Sequence, residues 1–333
     1  MLENELIISG LQGNYLITGM TGFLGGLITK QLMQSKEYTK GNMHIYGIVR
    51  DYEKAKAQFF KTDNRYLSFL KADICNYDTL SDIEGNRIDY IIHCAASTKS
   101  SYMISNPVET ADGIVLGTRN MLELARKLNV KSMVYVSSME VYGQVRDIGR
   151  LRAEDELGEI ALESARSCYS MGKRMAEHYC HIYQHEYNVP VKIARLAQTF
   201  GLGSNENDTR VYMQFAKAAC KKKDIILKTQ GKSTGNYCAS DEAVQAIFLL
   251  LEKGMDGQVY NIVNEENTMT IREMAELVAN KIADGKIQVK IEEEDNMRTG
   301  YAPETQLKMS GQKMYDLGWK PQKDLIQMYR DIG

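Results

Sequence analysis

Two residues, Tyr169 and Lys173, have the types and the spacing of a proton-transfer pair. They stand four positions apart in a segment with a helical pattern, so both side chains are expected on one face of the helix. A cation beside a phenol favours the phenolate, and we therefore expect the pKa of Tyr169 to lie below its ordinary value of about 10. A tyrosine in that state can act as a general base toward a secondary alcohol.

Ser138 and Glu140 place two more polar groups within reach of the same chemistry. They lie in the segment Ser-Ser-Met-Glu-Val-Tyr-Gly at 137–143, directly after Met133–Val136, which is predicted to be a strand. The carboxyl ends of strands are where open α/β sheets hold ligands. Ser138 could hydrogen-bond a reacting oxygen, and Glu140 could serve as a second acid or base. The alternative is that Glu140 only caps a backbone turn.

A glycine-rich turn joins the first predicted strand, Asn14–Thr18, to the first predicted helix, Phe23–Gln34. Its glycines fall at G-x-x-G-x-x-G spacing, which lets the backbone approach a pyrophosphate closely. The N–H groups at the start of the helix favour the same anion. This order of strand, turn and helix predicts a dinucleotide site. The predicted contacts are Gly19, Thr21, Gly22, Phe23, Leu24 and Gly25.

The ends of later strands bear on which dinucleotide binds. Arg50 and Asp51 follow the second predicted strand, His44–Val49. An arginine there can accept the 2′-phosphate of NADP, whereas an acidic residue binds the ribose of NAD. Arg50 favours NADP; in the alternative, Arg50 stacks over the adenine and Asp51 holds the ribose. Further cofactor contacts are predicted at Asp73, Ile74, Ala95, Ala96, Ser97, Val136, Tyr169 and Lys173.

These residues require a scaffold whose strand ends meet along one edge. Apolar runs alternate with helical patterns through Tyr66–Lys71, Tyr90–His93 and Val191–Ala194. Such alternation predicts an α/β fold with a doubly wound parallel sheet that is covered by helices on both faces. After Gly201 helical and loop segments dominate, which predicts a smaller C-terminal α/β lobe.

The domain boundaries follow from that change of pattern. Residues 1–200 are expected to form the dinucleotide-binding domain, and residues 236–264 to return to it, because Gln258–Val263 is a further strand-like run. Residues 201–235 and 265–333 are expected to form the substrate-binding lobe. Within it, Thr270-Ile-Arg-Glu273 has the pattern of a capping box that opens a helix.

Composition excludes several classes of function. The net charge of the 333 residues is −2, so no overall field favours nucleic acid or an anionic membrane. No apolar stretch approaches the roughly 20 residues that span a bilayer. An acidic start and six scattered cysteines favour a cytoplasmic protein with reduced thiols. We expect Lys221–Lys223 to be a solvated helix end, and we expect no metal site at His178, His181 and His185.

Taken together, the motifs resemble the extended short-chain dehydrogenase/reductases, and specifically the NAD-dependent epimerase/dehydratase family. The resemblance extends from Asn14 to about Pro321. It is carried by the segments TGMTGFLG at 18–25, HCAAS at 93–97, GT at 117–118, SSMEVYG at 137–143 and YSMGK at 169–173.

The resemblance implies a Rossmann domain in which Gly19, Gly22 and Gly25 hold the pyrophosphate. It also implies that Ser138, Tyr169 and Lys173 form a catalytic triad and that a nucleotide sugar is the substrate. Family members often form homodimers through a four-helix bundle, here built from the helices near 105–128 and 169–187. The SMEVYG segment and the GKRMAE segment at 172–177 are most similar to UDP-glucuronate decarboxylases.

Three departures from the family pattern bear on the reaction. Sugar 4,6-dehydratases usually carry an aspartate before the glutamate, where this chain has Met139. The family asparagine in its N-V-x-G-T segment is replaced by Ile114. The arginine that commonly clamps the nucleotide diphosphate is replaced by Gly235 or Asn236, and its loss weakens the case for a UDP-sugar. Another cation, such as Arg210 or Lys232, could take its place.

Three functions remain open from the sequence. The first is modification of a nucleotide sugar through a 4-keto intermediate, with Tyr169 as acid and base and Glu140 assisting epimerisation, dehydration or decarboxylation. The second is an NADPH-dependent carbonyl reductase that acts on a substrate without a nucleotide. The third is a dinucleotide-binding protein without catalysis, against which the intact Tyr169–Lys173 pair argues.

Overall fold

The computed structural model describes residue 8 and residues 10–60, 64–145, 149–293 and 304–332. Its strands are β1 (Tyr15–Thr18), β2 (Ile45–Val49), β3 (Leu67–Lys71), β4 (Tyr90–His93), β5 (Ser132–Ser138), β6 (Leu151–Arg152), β7 (Val191–Leu196), β8 (Gln198–Phe200), β9 (Ile225–Leu227), β10 (Thr234–Ala239), β11 (Val259–Ile262), β12 (Asn264–Thr270), β13 (Val289–Ile291) and β14 (Lys308–Met309). Its α-helices are α1 (Phe23–Met33), α2 (Lys36–Thr39), α3 (Tyr52–Phe59), α4 (Ser100–Ser105), α5 (Pro107–Leu128), α6 (Cys168–Tyr187), α7 (Val211–Cys220), α8 (Ser240–Lys253), α9 (Ile271–Leu277), α10 (Gln312–Asp316) and α11 (Leu325–Arg330).

A seven-stranded sheet forms the centre of the molecule, in the order β3-β2-β1-β4-β5-β7-β11. Every neighbouring pair in it is parallel, so all the strands end at the same edge. The strand order reverses between β1 and β4, and a crevice at such a reversal is the usual ligand site of this architecture. The predicted doubly wound sheet is confirmed.

Alternating side chains fill a core on each face of this sheet, as expected for buried parallel strands. On β5, Val134 and Val136 point into the core under α1 and α8, whereas Met133 and Tyr135 point into the core under α5 and α6. Helix α5 starts with Pro107, which suits a first helical position, and ends at Asn129 in the left-handed region.

The C-terminal lobe has its own core around Phe200. Its elements include a three-stranded sheet in the order β12-β10-β8 and a parallel pair of β9 and β13. Helix α9 begins with the predicted capping box, in which Thr270 and Glu273 exchange hydrogen bonds.

Most of the predicted strands are confirmed, with ends that differ by a few residues. Strand β5 extends to Ser138, beyond the predicted Val136, so Ser138 lies at the strand end itself. Strand β11 pairs with β7 at the edge of the main sheet, where Gln258–Val263 was expected to return. Lys221, Lys222 and Lys223 are exposed after α7, as expected. Among the described residues, no helix combines the length and the apolar character that crossing a membrane requires.

Candidate active site

Helix α6 brings Tyr169 and Lys173 to the carboxyl edge of the sheet, next to the end of β5. Both side chains are buried, with 5% and 3% of their surface exposed. The Lys173 ammonium donates a hydrogen bond of 2.7 Å to the Val136 carbonyl and lies 5.8 Å from the centre of the Tyr169 ring. The predicted placement of the two residues on one helix face is therefore confirmed.

The expected effect of this pairing on the acidity of Tyr169 is wrong. Burial raises the pKa of Tyr169 above its ordinary value, and the nearby Glu140 carboxylate raises it further. The groups that favour the phenolate are the Ser138 hydroxyl, by a hydrogen bond, and the guanidinium groups of Arg166 and Arg210. The spacing of two residues on one helix shows their proximity, but it does not show how deeply the helix is buried.

Burial acts on Lys173 in the opposite sense. It lowers the pKa of the Lys173 ammonium to about 8, because removal from water disfavours the charged form. Within the described part of the chain, no carboxylate lies at ion-pair distance from this ammonium. A lysine in that state is poised to exchange its proton near neutral pH.

Ser138 and Glu140 lie at the end of β5, beside helix α6. Residues Met139–Tyr142 form a short 3₁₀ turn, and the Ser138 hydroxyl accepts the Glu140 N–H at 3.2 Å. It is thus Ser138, and not Glu140, that caps the turn. The Glu140 carboxylate accepts hydrogen bonds from Arg166 at 2.9 Å and from the Ser170 hydroxyl at 3.3 Å.

Two arginines complete the electrostatic surroundings of Tyr169. Arg166 lies in the turn before α6, with its guanidinium carbon 6.0 Å from the centre of the Tyr169 ring. Arg210 precedes α7, and its guanidinium is oriented by hydrogen bonds of 2.6 to 3.1 Å to Asp208. Arg166 was not predicted from the sequence, although its position three residues before Tyr169 was a usable signal. Arg210 was predicted only as a substitute phosphate ligand.

The glycine turn has the shape that a pyrophosphate site needs. Gly19 has φ +70°, which favours glycine. A Cβ on Gly19 would stand 2.9 Å from the Ala95 nitrogen, and a Cβ on Gly25 would overlap the Gly19 carbonyl oxygen. Helix α1 therefore begins directly against the turn. Its N-cap, Gly22, supplies no side-chain acceptor to the first turn, and that turn holds no acidic residue.

These observations fit a dinucleotide phosphate. The first N–H groups of a helix lack partners inside the helix, and here no side chain of the cap supplies one. The backbone N–H groups of Phe23 and Leu24 could hold the anion, with Thr21 beside them in the turn.

The residues predicted to contact the rest of the cofactor lie at the same strand edge. Ala95, Ala96 and Ser97 follow β4 and are partly buried. The Val136 carbonyl, at the end of β5, is already bound by Lys173. The side chains after β4 are small, and the Ala95 backbone packs closely against Gly19.

Arg50 and Asp51 differ in how free they are to bind a ligand. Arg50 is exposed after β2. Asp51 is the N-cap of α3 and accepts the Lys54 N–H at 3.0 Å. After β3, the Asp73 carboxylate accepts the Cys75 N–H at 3.0 Å, and the Ile74 carbonyl accepts a hydrogen bond from the Asn120 amide at 2.9 Å.

Gly235 lies under the side chain of Tyr237. A Cβ on Gly235 would overlap the hydroxyl oxygen of Tyr237, which is fully buried. The two residues flank a shift in the pairing register of β10 with β12. The tyrosine therefore occupies the space that a side chain at position 235 would need.

Comparisons with known proteins agree with this architecture. The model of the NAD dependent epimerase/dehydratase family matches residues 15–263. The UDP-glucuronic acid decarboxylase 6 of Arabidopsis thaliana is 27% identical over 310 residues, which cover 93% of this chain and 84% of that protein.

Solved structures share the fold at low sequence identity. The UDP-glucose 4-epimerase of Thermotoga maritima, in a structure with UDP-glucose, has a TM-score of 0.78 at 20% identity and covers 95% of this chain and 96% of its own. RMD from Pseudomonas aeruginosa, complexed with NADPH, has a TM-score of 0.74 at 21% identity, with coverage of 96% and 97%.

Proposed function

Because this chain belongs to the NAD-dependent epimerase/dehydratase family, we propose that it modifies the sugar of a nucleotide sugar through a 4-keto intermediate. The observation that carries the proposal is Tyr169, buried at the carboxyl edge of the sheet, where the Ser138 hydroxyl favours its phenolate. The glycine turn between β1 and α1 would hold a nicotinamide dinucleotide. Such a cofactor, when bound, would supply reversible hydride transfer with the sugar carbon.

Tyr169 takes a proton from the sugar hydroxyl at C4 as the first step. Burial holds the phenol in its protonated form, so the step depends on the groups that favour the phenolate. Ser138 does so by a hydrogen bond, and Arg166 and Arg210 do so by their charge. Lys173 is fixed beside the phenol by the Val136 carbonyl and contributes a positive charge below about pH 8.

Glu140 performs the second proton transfer. A 4-keto group acidifies the neighbouring carbon, and Glu140 reaches the same space as Tyr169 from the end of β5. The hydrogen bonds from Arg166 and Ser170 orient its carboxylate toward this space. Met139 cannot donate a proton to a leaving hydroxyl, so dehydration that needs an aspartic acid there is disfavoured.

We propose NADP as the preferred dinucleotide. The Asp51 carboxylate already serves as a helix cap, which makes it less available to a ribose hydroxyl. Arg50 is exposed at the same strand end and can meet a 2′-phosphate.

We propose that Arg210 binds the anionic part of the substrate in place of the family arginine at position 235 or 236. It is close enough to Tyr169 to favour the phenolate. Asp208 fixes the plane of its guanidinium, and a fixed guanidinium suits a phosphate. Lys232 is exposed on the lobe and carries no comparable support.

We also propose a homodimer formed through α5 and α6. These helices pack against each other and leave apolar side chains exposed. The exposed fractions are 71% for Val108, 39% for Leu116, 36% for Met171 and 40% for Met175. A second copy would cover them in a four-helix bundle, and sedimentation analysis would show the mass of the assembly.

One observation favours the carbonyl reductase as a second candidate. Tyr237 fills the space beside Gly235, so an arginine there, which the family resemblance implies as a diphosphate ligand, would not fit. A reductase would need Tyr169 and the cofactor but no nucleotide ligand.

A panel of nucleotide sugars tests these alternatives. We expect one UDP-, GDP-, CDP- or dTDP-sugar to raise the melting temperature and to be converted, with the product identified by mass spectrometry. Tyr169→Phe is expected to lower turnover by about 10² to 10⁴-fold, without a change in melting temperature. Oxidation of NADPH by simple ketones, with no response to any nucleotide sugar, would replace the proposal by the reductase. Unchanged turnover in Tyr169→Phe would remove Tyr169 from the mechanism.

A further inference from the structure

We propose that His93 is a positioning residue that fixes the glycine turn of the cofactor site through a single imidazole tautomer, with the proton on Nε2. The proposal rests on the dinucleotide site proposed above. His93 is the last residue of β4, and 1% of its surface is exposed. It lies between Thr18, which directly precedes the glycine turn, and Thr118 on α5.

The hydrogen bonds around Thr18 determine the tautomer. The Thr18 hydroxyl oxygen accepts the Ala95 N–H at 3.1 Å and lies 2.6 Å from His93 Nδ1. Within the part of the chain that the structure describes, His93 Nδ1 is the acceptor available to the Thr18 hydroxyl proton. Thr18 therefore donates to Nδ1, since a buried hydroxyl proton without an acceptor is costly. Nδ1 then carries no proton.

The opposite ring nitrogen follows from this assignment. A neutral imidazole with an acceptor at Nδ1 carries its proton on Nε2. His93 Nε2 lies 3.2 Å from the Thr118 hydroxyl, to which it donates. A second ring proton would lie on Nδ1, where it would repel the Thr18 hydroxyl proton, so this environment disfavours the charged imidazolium. Complete burial and the neighbouring Lys173 ammonium act in the same sense, lowering the pKa of His93 to about 3.

One ring thus connects three elements around the turn. Through Thr18 it holds the end of β1, through Thr118 it holds α5, and through its own backbone it holds β4. The Ala95 N–H, bound by Thr18, lies beside Gly19, whose Cβ position is 2.9 Å from that nitrogen. The His93 ring also stacks on the Tyr135 ring, with 5.6 Å between their centres. The Lys173 ammonium lies 4.7 Å from the centre of the Tyr135 ring. If the turn is already ordered in the free protein, binding of the dinucleotide carries a smaller free-energy cost for ordering it.

The tautomer can be measured directly on the wild-type protein. The chain has 5 histidines, so ¹⁵N-labelled imidazoles give few signals. We expect one histidine with its proton on Nε2 that does not titrate between pH 5 and 8, and His93→Phe identifies its signal. A proton on Nδ1, or a doubly protonated ring at pH 6, would overturn the proposal.

Affinity for NAD⁺ and NADP⁺ tests the consequence, measured by calorimetry on variants whose folding is checked by circular dichroism. His93→Phe keeps an aromatic ring beside Tyr135 but loses both nitrogens, and Thr18→Val removes the partner hydroxyl. We expect each to weaken binding about tenfold, or about 1.4 kcal/mol, because both variants remove the hydrogen bond between Thr18 and the imidazole. His93→Asn can still accept from Thr18, and we expect it to bind more tightly than His93→Phe.

The outcomes separate the two proposals. Wild-type protein that binds neither dinucleotide contradicts the proposed function. Wild-type protein that binds one, with equal affinity in His93→Phe and Thr18→Val, contradicts only the role of His93.

Discussion

Two buried cations lie near one another on the same side of the sheet, and they differ in how their charges are balanced. Lys173 has the Val136 carbonyl as its hydrogen-bond partner, and burial lowers its pKa to about 8. Arg195 is bound by the Glu177 carboxylate at 2.6 Å. Burial alone would lower the pKa of Arg195, but the hydrogen bonds and charge of Glu177 raise it overall.

This difference in charge balance distinguishes a residue of the candidate site from a structural ion pair on the same helix, α6. Lys173 and Glu177 are four residues apart on α6, so both face inward. Glu177 also accepts a hydrogen bond from Ser137, which ties the helix to β5. A fully paired charge holds its neighbours in place, whereas a charge without a carboxylate partner is free to respond to a ligand.

The largest effect is expected from breaking the ion pair between Arg195 and Glu177. We expect Arg195→Met to lower the free energy of unfolding by about 3–5 kcal/mol, because Glu177 would remain buried without its counter-charge. Urea denaturation followed by circular dichroism measures the loss. The double variant Arg195→Met with Glu177→Leu should recover much of it, and a loss below about 1 kcal/mol in the single variant would show that the pair is not a structural link.

The second largest effect is expected from removing the Lys173 ammonium, which has no carboxylate at ion-pair distance among the described residues. We expect Lys173→Met to lower turnover at least about 100-fold while the protein remains as stable as the wild type, since the substitution removes a buried charge that lacks a carboxylate partner. Turnover and urea denaturation are measured on the same preparation.

Lys192 supplies the matched control for that experiment. It is a buried lysine paired with Asp256 at 2.6 Å, and it lies at the opposite end of the sheet from Tyr169. Lys192→Met should lose stability and keep its turnover per folded molecule. Equal effects of the two substitutions would contradict the distinction between paired and unpaired charges.

The smallest expected effect is a dependence on pH. The pKa of Lys173 is about 8 in the folded protein, against an ordinary value of 10.5. Turnover should fall about tenfold for each pH unit above that value, as the ammonium loses its proton. Between pH 8 and 10.5 the unfolded chain binds the extra proton, so this lysine makes the fold more stable as pH rises. The difference in stability between wild type and Lys173→Met should therefore change across that window, and a flat difference would contradict the assigned pKa.

Local patterns in the sequence predicted the backbone of the site correctly. The glycine spacing, the strand ends and the separation of Tyr169 from Lys173 are all properties of neighbouring residues, and helix and strand geometry converts them into positions. The short strands of the lobe, such as β8 and β9, could not be predicted because segments of three residues carry too little periodicity.

The electrostatics of the site could not be derived in the same way. The pKa of Tyr169 depends on burial by segments far away in the chain and on charges such as Arg210. Glu140 is bound by Arg166, which is 26 positions away. The spacing of two residues predicted contact between them, whereas acidity is determined by everything packed around the contact.

The overlap between Gly235 and Tyr237 couples any substitutions made at these two positions. An arginine introduced at position 235 must displace the fully buried ring of Tyr237, so we expect it to lower the free energy of unfolding unless residue 237 is also replaced. A smaller residue at 237 that comes first opens room for the arginine but leaves a cavity in the lobe. We therefore expect the effects of the two substitutions on stability to be non-additive.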